Sequence, residues 1–163
     1  MNTILLIGIF GCIVFIGWHI YSGYRSRKRY FESLTRFCDN LITEVGFSKK
    51  TLAQIIDGYY QNYDANFSAD LLAFKALLEN REDVNQQRLT LWNGLKTTEH
   101  DAVAEFIVGL GRHSVAEEVQ KIKNARSRFE VFRTESAEKL KSEASIYFKV
   151  CILLGIAVVV LLL

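Results

Sequence analysis

Few residues in this sequence have the type and spacing that chemistry requires. A protein zinc site needs several His, Cys or carboxylate ligands brought together. His19, His100 and His113 each stand alone, with no second histidine or cysteine at ligand spacing. Cys12, Cys38 and Cys151 are scattered singly, and an odd count argues against a disulfide framework. Gly109-Leu-Gly111-Arg112 lies just ahead of a helix start, where free backbone N–H groups favour anions. No GxxxxGK[ST] motif accompanies it and no strand precedes it, so a tight interhelical turn explains both glycines better. Glu117 and Glu118 are adjacent, which on a helix sets them about 100° apart, on a solvated face rather than as an acid–base pair. Neither a Ser–His–Asp nor a Cys–His arrangement emerges. The expectation is a chain that is not an enzyme and holds neither metal nor cofactor.

The elements that must carry these residues follow from the placement of charge. Of 163 residues, 20 are Lys or Arg and 18 Asp or Glu, and all lie between Arg25 and Lys149. The net charge of +2 is too small to imply nucleic acid as a partner. Charged side chains are costly in hydrocarbon, and a charge-free apolar stretch of roughly 17–25 residues reads as a membrane-spanning helix. Residues 1–24 form one such segment, with Trp18 and Tyr21 suited to the headgroup zone. A cleaved secretory signal would place its positive charges before the apolar core, whereas Arg25, Arg27, Lys28 and Arg29 follow it. Residues 146–163 form the second segment, about 27 Å as a helix, with Lys149 snorkelling to the interface. The basic cluster Arg25, Arg27, Lys28, Arg29 flanks the first segment, and Lys139, Lys141 and Lys149 flank the second. Both vote for a cytoplasmic middle domain with both termini across the membrane. The basic cluster also suits contact with anionic lipid headgroups of the bilayer.

Residues 25–145 read as one all-helical domain, so the fold class is all-α: a bundle of about six helices flanked by two transmembrane helices. The chain contains no proline to break a helix. Tyr30, Phe31, Leu34, Phe37, Cys38, Leu41, Ile42 and Val45 step by three and four along one face, ending near Gly46. Thr51-Leu-Ala-Gln54 is a capping box that opens a second helix through Ile55, Ile56 and Tyr59. A third carries Leu71, Leu72, Phe74, Leu77 and Leu78. A fourth is expected over Val84, Leu91, Trp92 and Leu95, and a fifth opening at Thr98-Glu-His-Asp101. Ser114-Val-Ala-Glu117 caps a last helix from Val115 with a narrow stripe of Val115, Val119, Ile122, Phe129, Phe132, Leu140 and Tyr147. It is expected to run without interruption into the second span.

This layout resembles the stage III sporulation protein AB family. The likeness lies in the Arg-rich exit into a long helix ending at Glu44-Val-Gly46, the turn before Thr51-Leu-Ala, and the Trp92 region. Leu110-Gly111-Arg112-His113-Ser114 before a long charged helix, and the final run Leu153-Leu-Gly-Ile-Ala-Val-Val-Val-Leu-Leu-Leu163, resemble it as well. The chain departs from the family pattern in lacking prolines near Lys50–Gln54 and in having Ser114 and Glu118 at the start of the last helix. The resemblance implies a non-enzymatic protein of a sporulation channel between mother cell and forespore, in the mother-cell membrane. Its soluble domain would be similar to the cytoplasmic domain of the F-type platform protein of type II secretion systems. It implies two kinds of protein partner: a secretion-type ATPase, stage III sporulation protein AA, and other membrane proteins of the same complex. On that reading the partner surface falls on exposed charges of the last helix and its turn: Arg112, His113, Glu117, Glu118, Lys121, Lys123, Arg126 and Arg128. Two alternatives from other classes are a two-span signalling or regulatory subunit and a membrane-anchored enzyme.

Overall fold

The computed structural model describes residues 2–47, 50–80, 85, 88–112 and 114–162. Among them the secondary structure is helical, without strands. Helix α1 covers Asn2–Phe47, α2 Leu52–Tyr59, α3 Ala65–Glu79, α4 Thr97–Gly109, α5 Val115–Lys139 and α6 Ser145–Leu162. A short 3-10 turn, Tyr60–Asn62, follows α2, and a π turn, Leu140–Ala144, separates α5 from α6. The chain divides into two compact units, residues 29–133 and the pair of segments 1–28 and 134–163.

In the two-segment unit, α1 and α6 meet at glycines. A Cβ added at Gly17 would lie 2.9 Å from Cys151 Cβ, and one at Gly155 would lie 2.8 Å from Phe10 Cδ2. Small residues let two helix backbones approach closely where no hydrophobic effect drives them together. Nearby, the rings of Trp18, Tyr21 and Phe148 form a triangle with centroids 6.0–6.4 Å apart. Tyr24 donates to Glu143 at 3.2 Å. The outward faces are apolar: Ile7, Phe15, Leu153, Val160 and Leu161 are among the exposed large side chains. A soluble core helix would bury such residues, yet only 6% and 11% of the most apolar windows of the two long helices are buried. Both are long and apolar enough to cross a membrane.

The helix runs from Val115 to Leu161 with a π turn inside it, and that turn has a simple geometric reason. Ser136 and Ala144 are both buried and lie eight residues apart. Two α turns take 7.2 residues, so an α-helix alone would rotate Ala144 off the face that Ser136 occupies. The wider i→i+5 turn absorbs the surplus.

The bundle unit is built on the face read from α1. Tyr30, Phe31, Leu34, Phe37, Cys38 and Leu41 are fully buried. Against them pack Ile55 and Ile56 of α2, Phe67, Leu71 and Phe74 of α3, Val103 and Ile107 of α4, and Ile122 and Phe129 of α5. The Thr51 capping box forms as read: Thr51 N–H donates to Gln54 Oε1 at 2.9 Å and Gln54 N–H to Thr51 Oγ1 at 3.4 Å. Helix α5 begins at Val115. Of its stripe, Ile122 and Phe129 are core and Phe132 packs against it, while Val115 is exposed.

Among the described residues of the expected fourth helix, none is helical. Val84 lies outside the described residues, and residues 88–96 are irregular chain. Here Leu89 and Leu91 are buried while Thr90 is exposed. That is a period of two, the rhythm of extended backbone, which the helical spacing of Val84, Leu91 and Leu95 disguised. The turn at Asn93-Gly94 then brings Leu95 N–H to Trp92 O, 3.4 Å away. A Cβ on Gly94 would strike the Trp92 ring at 2.2 Å, so only glycine lets the indole fold back there. Helix α4 starts one residue earlier than read, at Thr97, with buried Glu99 accepting the Lys96 N–H at 3.0 Å.

Candidate partner-binding surface

Helix α5 and the turn before it carry the residues singled out as a partner surface, and the bundle sorts them into different environments. The turn is left-handed at Gly111, φ +77°, a conformation that costs other residues about 1–2 kcal/mol. Arg112 is exposed; His113 lies outside the described residues. Ser114 opens the helix: its N–H and Oγ both donate to Glu117 Oε2, at 3.3 and 2.9 Å, so Glu117 reaches back as a capping-box acid does. Glu117, Lys121, Lys123 and Arg128 are exposed, as expected of a solvated face.

Glu118 is the correction. It is 5% exposed, not solvated. Its Oε1 accepts the Gly111 N–H at 2.8 Å, tying the first turn of α5 to the left-handed loop. Oε2 is buried with no hydrogen-bond partner among the described residues. The reason is rotational: Glu118 stands four residues before Ile122 and is therefore on its face, whereas Glu117 is turned a further 100° outward.

Arg126 also differs from the expectation of a freely exposed charge. It is half-buried and grips Asp39 of α1 through two nitrogens, Nε to Oδ1 and Nη2 to Oδ2 at 3.2 Å. A bidentate guanidinium–carboxylate pair fixes geometry as well as charge. Part of the predicted docking face thus holds α5 against α1. Arg128 reaches Glu105 of α4 at 3.6 Å, with both side chains more than half exposed. Such a pair contributes little to stability.

Between α4 and α5 runs a groove of about 400 Å³. Ala102, Glu105, Phe106 and Gly109 line it from α4, and Glu118, Lys121, Ile122, Ala125, Arg128 and Phe129 from α5. The rings of Phe106 and Phe129 meet edge to face across it at 5.3 Å. Its size lies within the roughly 300–1,000 Å³ of built binding pockets, and its lining mixes apolar walls with four charged side chains, Glu105, Glu118, Lys121 and Arg128. A second hollow of about 180 Å³, lined by Leu41, Val45, Lys50, Leu52 and Ile55 among others, shares Glu118 as a wall. The groove was missed in the sequence because charges on a long helix were assigned to solvent. A signal existed: Glu118, Ile122, Ala125 and Phe129 follow the three–four spacing of the core stripe.

A second buried carboxylate was also missed. Asp70 is 6% exposed, and its Oδ2 accepts both the Tyr30 hydroxyl at 2.7 Å and the Trp92 N–H at 3.1 Å. Tyr30 stacks on Trp92 with centroids 5.6 Å apart and meets Phe67 edge-on at 5.2 Å. Burial pushes the Asp70 carboxyl above its usual range, against the opposing pull of the Tyr30 and Trp92 hydrogen bonds. Burial likewise holds the Tyr30 phenol well above its ordinary value. This network ties α1, α3 and the Trp92 segment together, and both of its donors are spent on Asp70 Oδ2. Its sequence signal was a charge at position 70 on the face shared by Phe67, Leu71 and Phe74.

In the basic cluster, Arg25 and Arg29 are exposed, Lys28 is half-buried and Arg27 is buried at 8% exposure. Arg27 is thus a packed residue of its unit, and the exposed part of the cluster reduces to Arg25, Arg29 and part of Lys28. His19 is exposed, and His100 is half-buried with Nδ1 3.6 Å from Asp101. Among the described residues, no three His, Cys, Asp or Glu side chains converge in a way that could hold a metal ion.

One compact helical unit and one unit built of two long apolar segments define an all-α protein with two helices long and apolar enough to cross a membrane. The chain belongs to the stage III sporulation protein AB family, whose model matches residues 2–163. It is accordingly a sporulation-related protein. No curated protein and no solved structure matches the chain.

Proposed function

We propose that this chain is a non-enzymatic membrane subunit of the sporulation channel between mother cell and forespore. Its bundle docks a secretion-type ATPase, stage III sporulation protein AA, onto the other membrane proteins of the complex. Family membership supports the process, and the positive-inside rule supports a cytoplasmic bundle anchored in the mother-cell membrane. The observation that carries the adaptor role is the division of labour among surfaces. The apolar residues exposed in bulk belong to the two long helices, while α5 offers water the charges of Glu117, Lys121, Lys123 and Arg128 beside a formed groove. Charged rims of this kind steer and orient partners more than they hold them.

Two measurements test the reading. A reporter enzyme active only outside the cytoplasm should stay silent when fused after Asn80 and work when fused at Leu163; activity at Asn80 would reverse the orientation. The full chain in lipid nanodiscs should capture the purified cognate ATPase, and failure to do so would remove the adaptor role.

A further inference from the structure

The two segments of the apolar unit display the same gradient of polarity in opposite chain directions. Along α1, Phe15, Trp18, Ser22 and Arg25 recur at steps of three and four and so share one face. Phe15 is 68% exposed and Trp18 53%, Ser22 is half-buried and Arg25 is exposed. Within about 15 Å of helix that face passes from hydrocarbon through an amphipathic ring and a hydroxyl to a cation. Along α6, Lys149, Leu153, Ile156 and Val160 recur in the same way, all exposed, and pass from a cation to hydrocarbon. The register that sets Tyr24 on Glu143 and Gly17 beside Cys151 brings both cations to the same end of the pair. The ring triangle of Trp18, Tyr21 and Phe148 sits where the apolar length meets that end. Charge there is unbalanced: residues 18–28 and 134–149 hold six Lys and Arg against three Glu. Among the described residues no carboxylate pairs with Arg25, Lys141 or Lys149.

We propose that this end of the helix pair binds the headgroup of an anionic phospholipid, with its phosphate on Arg25 and its glycerol region against Trp18, Tyr21 and Phe148. Tryptophan and tyrosine favour the boundary between acyl chains and headgroups, and each Lys or Arg near the surface attracts anionic lipid. The spacing fits. Tyr21 and Arg25 stand about 6 Å apart along the helix axis, and the headgroup zone of one leaflet is roughly 5–8 Å deep. A guanidinium offers a phosphate several N–H donors in a fixed fork. A zwitterionic headgroup presents that phosphate with its own cation already beside it, so the unpaired charge of Arg25 selects an anionic lipid.

The proposal rests on the reading of α1 and α6 as membrane spans, and the test separates the two. The full chain carrying Trp92→Phe, which keeps Trp18 as its one tryptophan, is placed in phosphatidylcholine nanodiscs. These contain brominated phosphatidylglycerol or brominated phosphatidylcholine at the same mole fraction, and quenching of Trp18 gives the relative affinity. The anionic lipid should be preferred about five-fold, the effect of one cation near the surface. Arg25→Gln should remove most of that preference, Arg25→Lys should keep most of it, and added salt should weaken it. Lys123→Gln, which deletes an exposed charge of the bundle, should leave it unchanged. The same preference should appear with Trp92 in place, which excludes a folding defect of the background. No quenching by either lipid would overturn the membrane spans and the headgroup site together. Equal quenching by the two lipids, or a preference undiminished by Arg25→Gln, would overturn the site alone.

Discussion

Removing the Asp70 carboxylate should be among the most damaging single changes in the bundle, and removing only its charge should be nearly harmless. Asp70→Ala strands two donors, the buried Tyr30 hydroxyl and the part-buried Trp92 backbone N–H. Each unmet donor costs about 1–3 kcal/mol, offset in part because a desolvated charge is no longer buried. The net expectation is a loss of about 3 kcal/mol. Asp70→Asn can leave a carbonyl oxygen where Oδ2 sits, accept both donors, and stay within about 1 kcal/mol of wild type. Tyr30→Phe should cost about 1.5–3 kcal/mol, because the carboxylate then keeps one donor of two. The pH dependence has a definite sign. Burial raises the folded pKa of Asp70 above its ordinary value, so the folded state binds more protons than the unfolded state between the two. Stability conferred by this group is therefore fully present below the unfolded carboxyl range, near pH 4, and is lost as pH rises through the folded pKa. The wild-type chain should accordingly lose stability relative to Asp70→Asn as pH increases across that window. The assay is urea unfolding in detergent followed by Trp92 fluorescence, in a Trp18→Phe background that leaves one of the two tryptophans. A difference that grows in favour of wild type with rising pH, or an Asp70→Ala cost below about 1 kcal/mol, would refute the network's structural role.

Three further outcomes are expected. Gly17→Ala forces a Cβ to within 2.9 Å of Cys151 Cβ, so it should destabilise the helix pair by about 1–2 kcal/mol in thermal unfolding, whereas Gly8→Ala, with nothing within 4 Å, should be silent. Gly111→Ala should cost about 1–2 kcal/mol for its left-handed φ, measured by the same urea titration; a neutral result would mean the turn re-forms differently. The Cys38 thiol, pushed up to about 12 chiefly by burial and secondarily by Asp39, should resist maleimide until the bundle unfolds, and rapid labelling of the native chain would show that this core opens.

Much of the architecture was legible because it depends on composition over long windows. Thirty-eight charges confined to the middle announce two apolar ends, and the α1 face from Tyr30 to Leu41 is a long, clean three–four repeat. What failed were short or mixed signals. Leu89, Leu91, Trp92 and Leu95 can be fitted to a helical spacing, but two buried leucines around an exposed threonine satisfy a two-residue period equally well. Tertiary contacts decide between them, here the Trp92 N–H on Asp70 and the indole folded over Gly94. The π turn at Leu140 was likewise invisible locally. Its cause is the spacing between buried Ser136 and Ala144, which is known only once both are seen to be buried.

The candidate site shows how a rule about charge can hide a site. Glu117 and Glu118 are chemically identical neighbours, and treating charged residues on a long helix as solvated places both in water. Rotation by 100° per residue separates them completely: Glu117 caps the helix from outside, while Glu118 enters the wall of the groove with one oxygen satisfied. Arg126 and Arg128 divide in the same way, one half-buried against Asp39 and the other at the groove's mouth with Glu105. A charge that falls in phase with the core stripe is therefore worth more attention than a denser run out of phase with it. Its desolvation has to be compensated by something, and at Glu118 the bundle supplies only part of that compensation.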